Sequence, residues 1–262
     1  MKQNFHTAQE IADRLRTADA EEFAVLERSL AADTRKTVRR AVGATRRRLA
    51  AEAAEAERLE RLYAFQDEIA GGKLAMGLDE VGRGPLAGPV SVGAVVLPPK
   101  PHIAGLNDSK QLSPERREEI AVQIEQAALA WTVVHVEPKL IDEKGIVACL
   151  KHAFGQAVAE IEAAGIVPEV VLLDGNPLHF DPREVNIVKG DARCASISAA
   201  SIVAKVERDA LMCELDRAYP GYGFAHNKGY GSADHIAAIK EMGLSPVHRV
   251  SFCTAFTQDS LF

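Results

Sequence analysis

The sequence is short of the residues that build sites from sulfur. Its 262 residues hold only four cysteines, Cys149, Cys194, Cys213 and Cys253. They are scattered and include no Cys-x-x-Cys pair, which argues against a structural zinc site or a disulfide framework and reads as reduced core thiols. Long apolar runs are lacking too: none approaches the roughly 20 residues needed to span a bilayer. The start, Met1-Lys2-Gln3-Asn4-Phe5-His6, lacks the apolar core of a signal peptide. The expectation is a cytoplasmic, globular protein with no membrane partner. Positive charge is also in deficit, with a net −6, which at first sight disfavours a nucleic-acid partner. The deficit is uneven, however. Between Arg28 and Arg48 there are eight basic residues (Arg28, Arg35, Lys36, Arg39, Arg40, Arg46, Arg47, Arg48) against one acid, Asp33. An acidic total can therefore cover both a basic face and an acidic cluster.

What is present falls into two styles of pattern. Residues 1–70 read as helical: Ile11 and Leu15 share a face, Phe23, Val25, Leu26 and Leu30 another. A long Ala/Arg/Glu-rich run after Asp33-Thr34 carries an intermittent apolar stripe through Phe65. Gly43 is expected to interrupt that run, and Gly71-Gly72 marks its end and a boundary. A solvated helical coil and a basic arm on a phosphate backbone are equally good readings of it. From Lys73 onward strands and helices alternate. Strands are expected at 74–81, 90–97, 131–137, 169–173 and 184–188. Helices are expected after Ser113-Pro114, from about 138 to 164 with a break near Gly145, over 192–218, and over 232–242. The sum is an α/β class fold, a sheet covered by helices, with no internal repeat.

Acids stand at strand ends. Asp79-Glu80 closes the first strand, Asp174 the fourth, and Asp191 follows the fifth. Ligands gather at the carboxyl ends of strands in α/β sheets. Any one of these acids reads as well as a turn former; three strand-end sites together read as a cation site. Carboxylates a few ångströms apart repel and raise each other's pKa. Oxygen donors without His or Cys favour Mg2+ or Mn2+ over zinc. Adjacent residues on a regular strand face opposite ways, so Asp79 and Glu80 are expected to share a site only where the strand ends or bends between them. The glycine-flanked Arg83 follows at once, in a stretch stripped of side chains that lets a ligand come close to the backbone.

Gly77-Leu78-Asp79-Glu80-Val81-Gly82-Arg83-Gly84-Pro85-Leu86-Ala87-Gly88-Pro89-Val90 resembles the signature of type 2 ribonuclease H (ribonuclease HII). So do Asp108-Ser109-Lys110, Leu173-Asp174-Gly175, Lys189-Gly190-Asp191, the run Ala200-Ser201-Ile202-Val203-Ala204-Lys205-Val206 followed by Arg208-Asp209, and His226-Asn227-Lys228-Gly229-Tyr230. The motifs cover about residues 73–255 in family order, and the Gly-Arg-Gly element fits type 2 better than its type 3 relatives. The resemblance implies an RNase H-like mixed five-stranded sheet flanked by helices, with a helical N-terminal extension carried by only some type 2 enzymes. The expected organisation is an extension over 1–70, a catalytic domain over 71–255 and a tail over 256–262.

The same resemblance implies an endoribonuclease that hydrolyses the RNA strand of RNA/DNA hybrids and cuts 5′ of single ribonucleotides in duplex DNA, leaving 3′-hydroxyl and 5′-phosphate ends. It implies Asp79, Glu80, Asp174 and Asp191 as catalytic ligands of two Mg2+ or Mn2+ ions. Gly82, Arg83 and Gly84 would read the 2′-hydroxyl, and Tyr230 would pack on the sugar. Lys110 and Lys205 are candidate phosphate contacts; each also reads as an ordinary solvated lysine. His226 and His248 are weaker candidates for proton transfer. The last residues, Gln258, Leu261 and Phe262, resemble the Gln-x-x-Leu-Phe peptide with which bacterial replication proteins bind the sliding clamp, with Asp259 where Leu is usual. A tail folded on its own core is the plainer reading. By resemblance the protein is expected to be a monomer. Two other classes stay open on the residues alone: another two-metal nuclease or strand-transfer enzyme of this fold, and a non-catalytic nucleic-acid-binding module.

Overall fold

A computed structural model of the chain describes residues 7–257; the tail residues Gln258, Leu261 and Phe262 lie outside them. The fold divides between Glu60 and Arg61 into two compact units. The first contains helices α1 (Ala8–Thr17) and α2 (Ala20–Ser29) and most of α3 (Lys36–Ala70). Thr7 begins α1 with a capping box: its hydroxyl accepts from Glu10 N, and the Glu10 carboxylate accepts from Thr7 N. Asp19 caps α2 through Glu22 N. Ile11, Leu15, Ala18, Phe23, Leu26 and Val38 form a small buried core. Gly43 does not break α3, which runs unbroken past it; an isolated glycine costs a helix about 1 kcal/mol, which a helix of this length absorbs.

The second unit is built on a sheet of five strands in the order β3-β2-β1-β4-β5. The strands are β1 (Ala75–Val81), β2 (Val90–Val96), β3 (Ala130–Val136), β4 (Val170–Asp174) and β5 (Glu184–Ile187). β2 runs antiparallel to both β1 and β3, while β1, β4 and β5 are parallel. The mixed sheet is the one expected. β1, β2 and β4 are apolar runs because helices cover both of their faces.

Helix α4 (Pro114–Ala127), capped by Ser113, precedes β3. The expected helical stretch after β3 is two helices, α5 (Pro138–Lys144) and α6 (Ile146–Ala163), parted by Gly145 at φ 79°. After β5 the chain makes one turn of 3-10 helix (Gly190–Ala192) before α7 (Ala195–Ala218) begins. Short α8 (Phe224–Asn227), then α9 (Ala233–Met242) with Ser232 as its cap, then α10 (Thr254–Thr257) complete the unit.

Strand alternation sends Met76 and Leu78 of β1, with Val92 and Ala94 of β2, towards α6, whose Leu150, Phe154 and Ala157 pack into the same core. The opposite face is closed by α7. A Cβ on Gly77 would stand 2.2 Å from the Ser196 carbonyl carbon, and one on Gly93 would stand 2.3 Å from the Ala200 oxygen. The run of small residues that opens α7 is there because its backbone lies directly on glycines of β1 and β2. The start of α7 is also held from α3: Gln66 Oε1 accepts from Ser196 N at 2.7 Å.

Candidate active site

Because β1 and β4 are parallel and Leu78 pairs with Leu173, the next residue of each strand, Asp79 and Asp174, stand side by side at the same end of the sheet. Asp191 arrives from the 3-10 turn after β5, which Asp174 helps to fix by accepting from Gly190 N at 2.6 Å. Glu80 does not share the Asp79 face. The ladder of β1 with β2 continues through Asp79, Glu80 and Val81 without a break, so the expected bend between the two acids does not occur. It comes afterwards, at Gly82, with φ 82°. Alternation therefore turns Asp79 towards α7 and Glu80 the other way, where its carboxylate meets Arg83 at 3.5 Å.

Burial and mutual repulsion govern this end of the sheet. Asp79 is buried, and burial, together with the Asp174 and Glu80 charges and against a hydrogen bond from Ser201, pushes its pKa up to about 8. Glu80 is raised by burial and by Asp174, with Arg83 opposing. Asp174 is raised by burial and by Asp191, with the Gly190 amide opposing. Among the described residues no ion pair reaches Asp79 or Asp174, while Asp191 is taken by Lys110 Nζ at 2.7 Å. Lys110 lies 3.7 Å from Asp108 as well, and Lys205 pairs with Asp209 at 2.8 Å.

The donors fit a hard divalent cation: every one is a carboxylate oxygen, with no His or Cys among them. The arrangement is not a ready cage. Among the described residues no three His, Cys, Asp or Glu side chains are gathered to hold an ion. Glu80 meets Arg83 and Asp191 is drawn to Lys110, although the Asp174 charge still reaches Glu80.

The loop after β1 is held by two arginines that the sequence motifs do not single out as anchors. Arg208 and Arg249 are both fully buried, and among the described residues neither has a carboxylate partner. Arg208 donates to the carbonyls of Pro89 (2.9 Å), Lys228 (3.0 Å) and Ala87 (3.4 Å). Arg249 donates to those of Gly82 (2.6 Å), Arg83 (3.0 Å) and Gly88 (2.8 and 3.0 Å). Burial, then Arg208, lowers the Arg249 pKa to about 10. Gly82 is required by the fold: besides its positive φ, a Cβ there would stand 2.1 Å from Arg208 Nε. Gly84 is not required by the fold, since its backbone is ordinary and nothing lies within 4 Å of a Cβ.

Tyr230 is about half exposed, and its carbonyl accepts from His235 Nδ1 at 2.8 Å. His235 and His248 touch through their Nε2 atoms at 3.0 Å, and His248 Nδ1 accepts from Ser245 N. Burial, then His235, lowers the His248 pKa to about 4. His248 is thus an internal prop rather than an exposed proton carrier.

The family profile described as Ribonuclease HII matches residues 76–255, across the sheet and both arginine anchors, and a second, described as Ribonuclease HII N-terminal domain, matches residues 7–70. The chain belongs to the ribonuclease HII family. A ribonuclease HII from Ruminiclostridium cellulolyticum is 44% identical over 207 residues, 78% of this chain and 80% of that protein. Among solved structures, the ribonuclease HII of a PCNA complex from Archaeoglobus fulgidus superposes with a TM-score of 0.60 at 26% identity, covering 72% of this chain and 98% of that one. A Bst-RNase HIII in complex with Mn2+ gives a TM-score of 0.50 at 25% identity, covering 65% of this chain and 63% of that one. With the family goes the enzyme class, a hydrolase of the ribonuclease H type 2 group.

Proposed function

We propose that the protein is an endoribonuclease that hydrolyses the RNA strand of RNA/DNA hybrids and cuts 5′ of a single ribonucleotide in duplex DNA. The reading is supported above all by one juxtaposition: Asp79 and Asp174, neighbouring carboxylates without an ion pair among the described residues, stand at the strand end from which a bare, internally braced loop begins at Gly82. Asp79, Glu80, Asp174 and Asp191 would hold divalent cations, Mg2+ or Mn2+, with Glu80 leaving Arg83 and turning to the Asp79 side to join them; the Mn2+ complex of Bst-RNase HIII is a related precedent. Two such ions, when bound, supply activation of the attacking water and neutralise charge on the scissile phosphate and the departing 3′-oxygen. For Asp191 to serve, Lys110 has to release it, which frees an ammonium for a neighbouring phosphate.

Gly82-Arg83-Gly84 reads the ribose. A 2′-hydroxyl is what distinguishes RNA from DNA at one nucleotide, and reading it with backbone groups requires close approach. Gly84 supports this reading because the fold itself has no use for a glycine there. Exposed Tyr230 offers its ring to the sugar, and Lys205 a charge to a phosphate. The catalytic domain on this reading spans 71–255, preceded by the helical part to residue 70 and followed by the tail, 256–262. The exposed Lys36, Arg39, Arg40 and Arg47 share one face of α3 without an ion pair among the described residues, which favours the basic-arm reading of the N-terminal part. The tail is a candidate clamp ligand; the Archaeoglobus fulgidus ribonuclease HII in complex with PCNA is a distant parallel.

The test is a DNA duplex with one ribonucleotide beside an all-DNA control, in Mg2+ or Mn2+. The expected result is one cut, 5′ of the ribonucleotide, leaving 3′-hydroxyl and 5′-phosphate ends, with the control intact. Cleavage of both duplexes would favour a two-metal DNA nuclease, and binding without cleavage a non-catalytic module.

A further inference from the structure

Arg249 lies outside the acidic rim, yet its guanidinium is spent entirely on the loop that follows β1. It is fully buried, and its Nε and both Nη atoms donate to the carbonyls of Gly82, Arg83 and Gly88. A buried guanidinium is costly to keep without acceptors, so each of those carbonyls has to face it. The peptide plane then dictates the rest. In a trans peptide the N–H points opposite to the carbonyl of the preceding residue. With the Gly82 and Arg83 carbonyls drawn inward to Arg249, the N–H groups of Arg83 and Gly84 are turned outward. Among the described residues neither N–H has an acceptor. Nearby loop amides behave differently: Leu86 N and Ala87 N donate to Gly229 O, and Gly88 N donates to Val247 O.

The geometry points to Arg249 as a positioning residue for sugar recognition: by gathering the Gly82, Arg83 and Gly88 carbonyls it sets the Arg83 and Gly84 N–H groups as a fixed pair of donors for an oxygen of the ribonucleotide. The inference rests on the reading of this loop as the ribose sensor. Arg249 itself touches no substrate. Its planar fork is what matters, because the four hydrogen bonds leave from three nitrogens spread across a plane, a pattern that the compact, three-donor ammonium of a lysine does not reproduce.

The experiment compares wild type with Arg249→Lys on two duplexes, one carrying a single ribonucleotide and the other a 2′-fluoro nucleotide at the same position. Fluorine is a weak acceptor for an N–H. Wild type is expected to prefer the ribonucleotide strongly. Arg249→Lys, folded by circular dichroism, is expected to lose about tenfold or more in kcat/KM on the ribonucleotide duplex, chiefly through KM, and to lose most of the preference. Equal cleavage of both duplexes by wild type would refute the ribose-sensor reading itself. A wild-type preference that Arg249→Lys keeps in full would leave that reading intact and overturn the role of Arg249. Should Arg249→Lys not fold, amide hydrogen exchange decides. The Arg83 and Gly84 amides are expected to exchange fast in the free wild-type protein. In Asp79→Asn with Mg2+ they should slow on adding the ribonucleotide duplex, and not on adding its all-DNA counterpart. Protection already present in the free protein, or no slowing with either duplex, would overturn the inference.

Discussion

Two neighbouring parts of the second unit bury charge in opposite ways. In the loop after β1, backbone carbonyls satisfy two buried arginines that have no carboxylate partner among the described residues. At the strand ends, Asp79 and Asp174 have no ion pair among the described residues, and their pKa values rise instead. The loop is thus braced from within through its carbonyls, while the acidic rim is left with like charges that a bound cation would neutralise. On the proposed function, that contrast suits a rigid recognition element beside a catalytic centre that a cation has to load. It also separates two kinds of glycine: Gly82 serves the protein, and Gly84 leaves room for something else.

The largest effect is expected at the rim. Asp79→Asn should lower single-turnover cleavage by on the order of 10³-fold or more, since several kcal/mol of charge stabilisation is lost, and duplex binding by gel shift should stay near wild type. A rate within about tenfold of wild type would remove Asp79 from the site. The glycine contrast comes next. Gly82→Ala should destabilise by about 1–2 kcal/mol from its left-handed backbone alone, with more from the collision with Arg208. Gly84→Ala should shift stability by less than about 0.5 kcal/mol while cleavage falls at least tenfold. If Gly84→Ala cuts normally, the loop does not meet the sugar there.

The pH dependence of stability sharpens the same comparison. Asp79 keeps its proton in the folded protein up to about pH 8 but would lose it near the ordinary aspartate value of 3.8 when unfolded. Between those values the folded state binds the extra proton, so the cation-free protein should lose stability as pH rises from about 4 to 8. In Asp79→Asn the decline in melting temperature should be shallower, and an identical decline would place its cause elsewhere. A smaller effect is expected in the N-terminal unit. Replacing Lys36, Arg39, Arg40 and Arg47 with glutamine should weaken hybrid binding. The slope of log affinity against log salt should fall by up to about 0.9 for each phosphate no longer neutralised. Unchanged affinity at every salt concentration would leave this face a solvated one.

The sheet was legible because its strands are apolar runs with clear ends, and the acids because Asp79, Glu80 and Asp174 lie at or near a strand's end and Asp191 shortly after one. The reason for the small residues at the start of α7 shows only in the fold, where they lie on Gly77 and Gly93. The arginine anchors were not legible in that way. Arg208 sits in a recognised motif, but nothing in the local sequence says that a charged side chain will be fully buried. Arg249 has only the flanking Val247 and Val250 as a hint. Its partners lie more than 160 positions earlier, and no periodicity reports an interaction that depends on tertiary packing. Gln66 was hidden for the same reason: it reads as one more polar residue of a helix, and it holds the start of α7.

The most direct test of the contrast is calorimetric titration of Mn2+ into wild type and Asp79→Asn at about pH 7, in buffers of different ionisation enthalpy. With the Asp79 pKa raised to about 8, most wild-type molecules hold a proton there before the ion arrives. Binding to wild type should therefore release close to one proton, and Asp79→Asn should bind more weakly without that release. Equal affinity and equal proton release in the two proteins would contradict the account of the rim as a site completed by its cation.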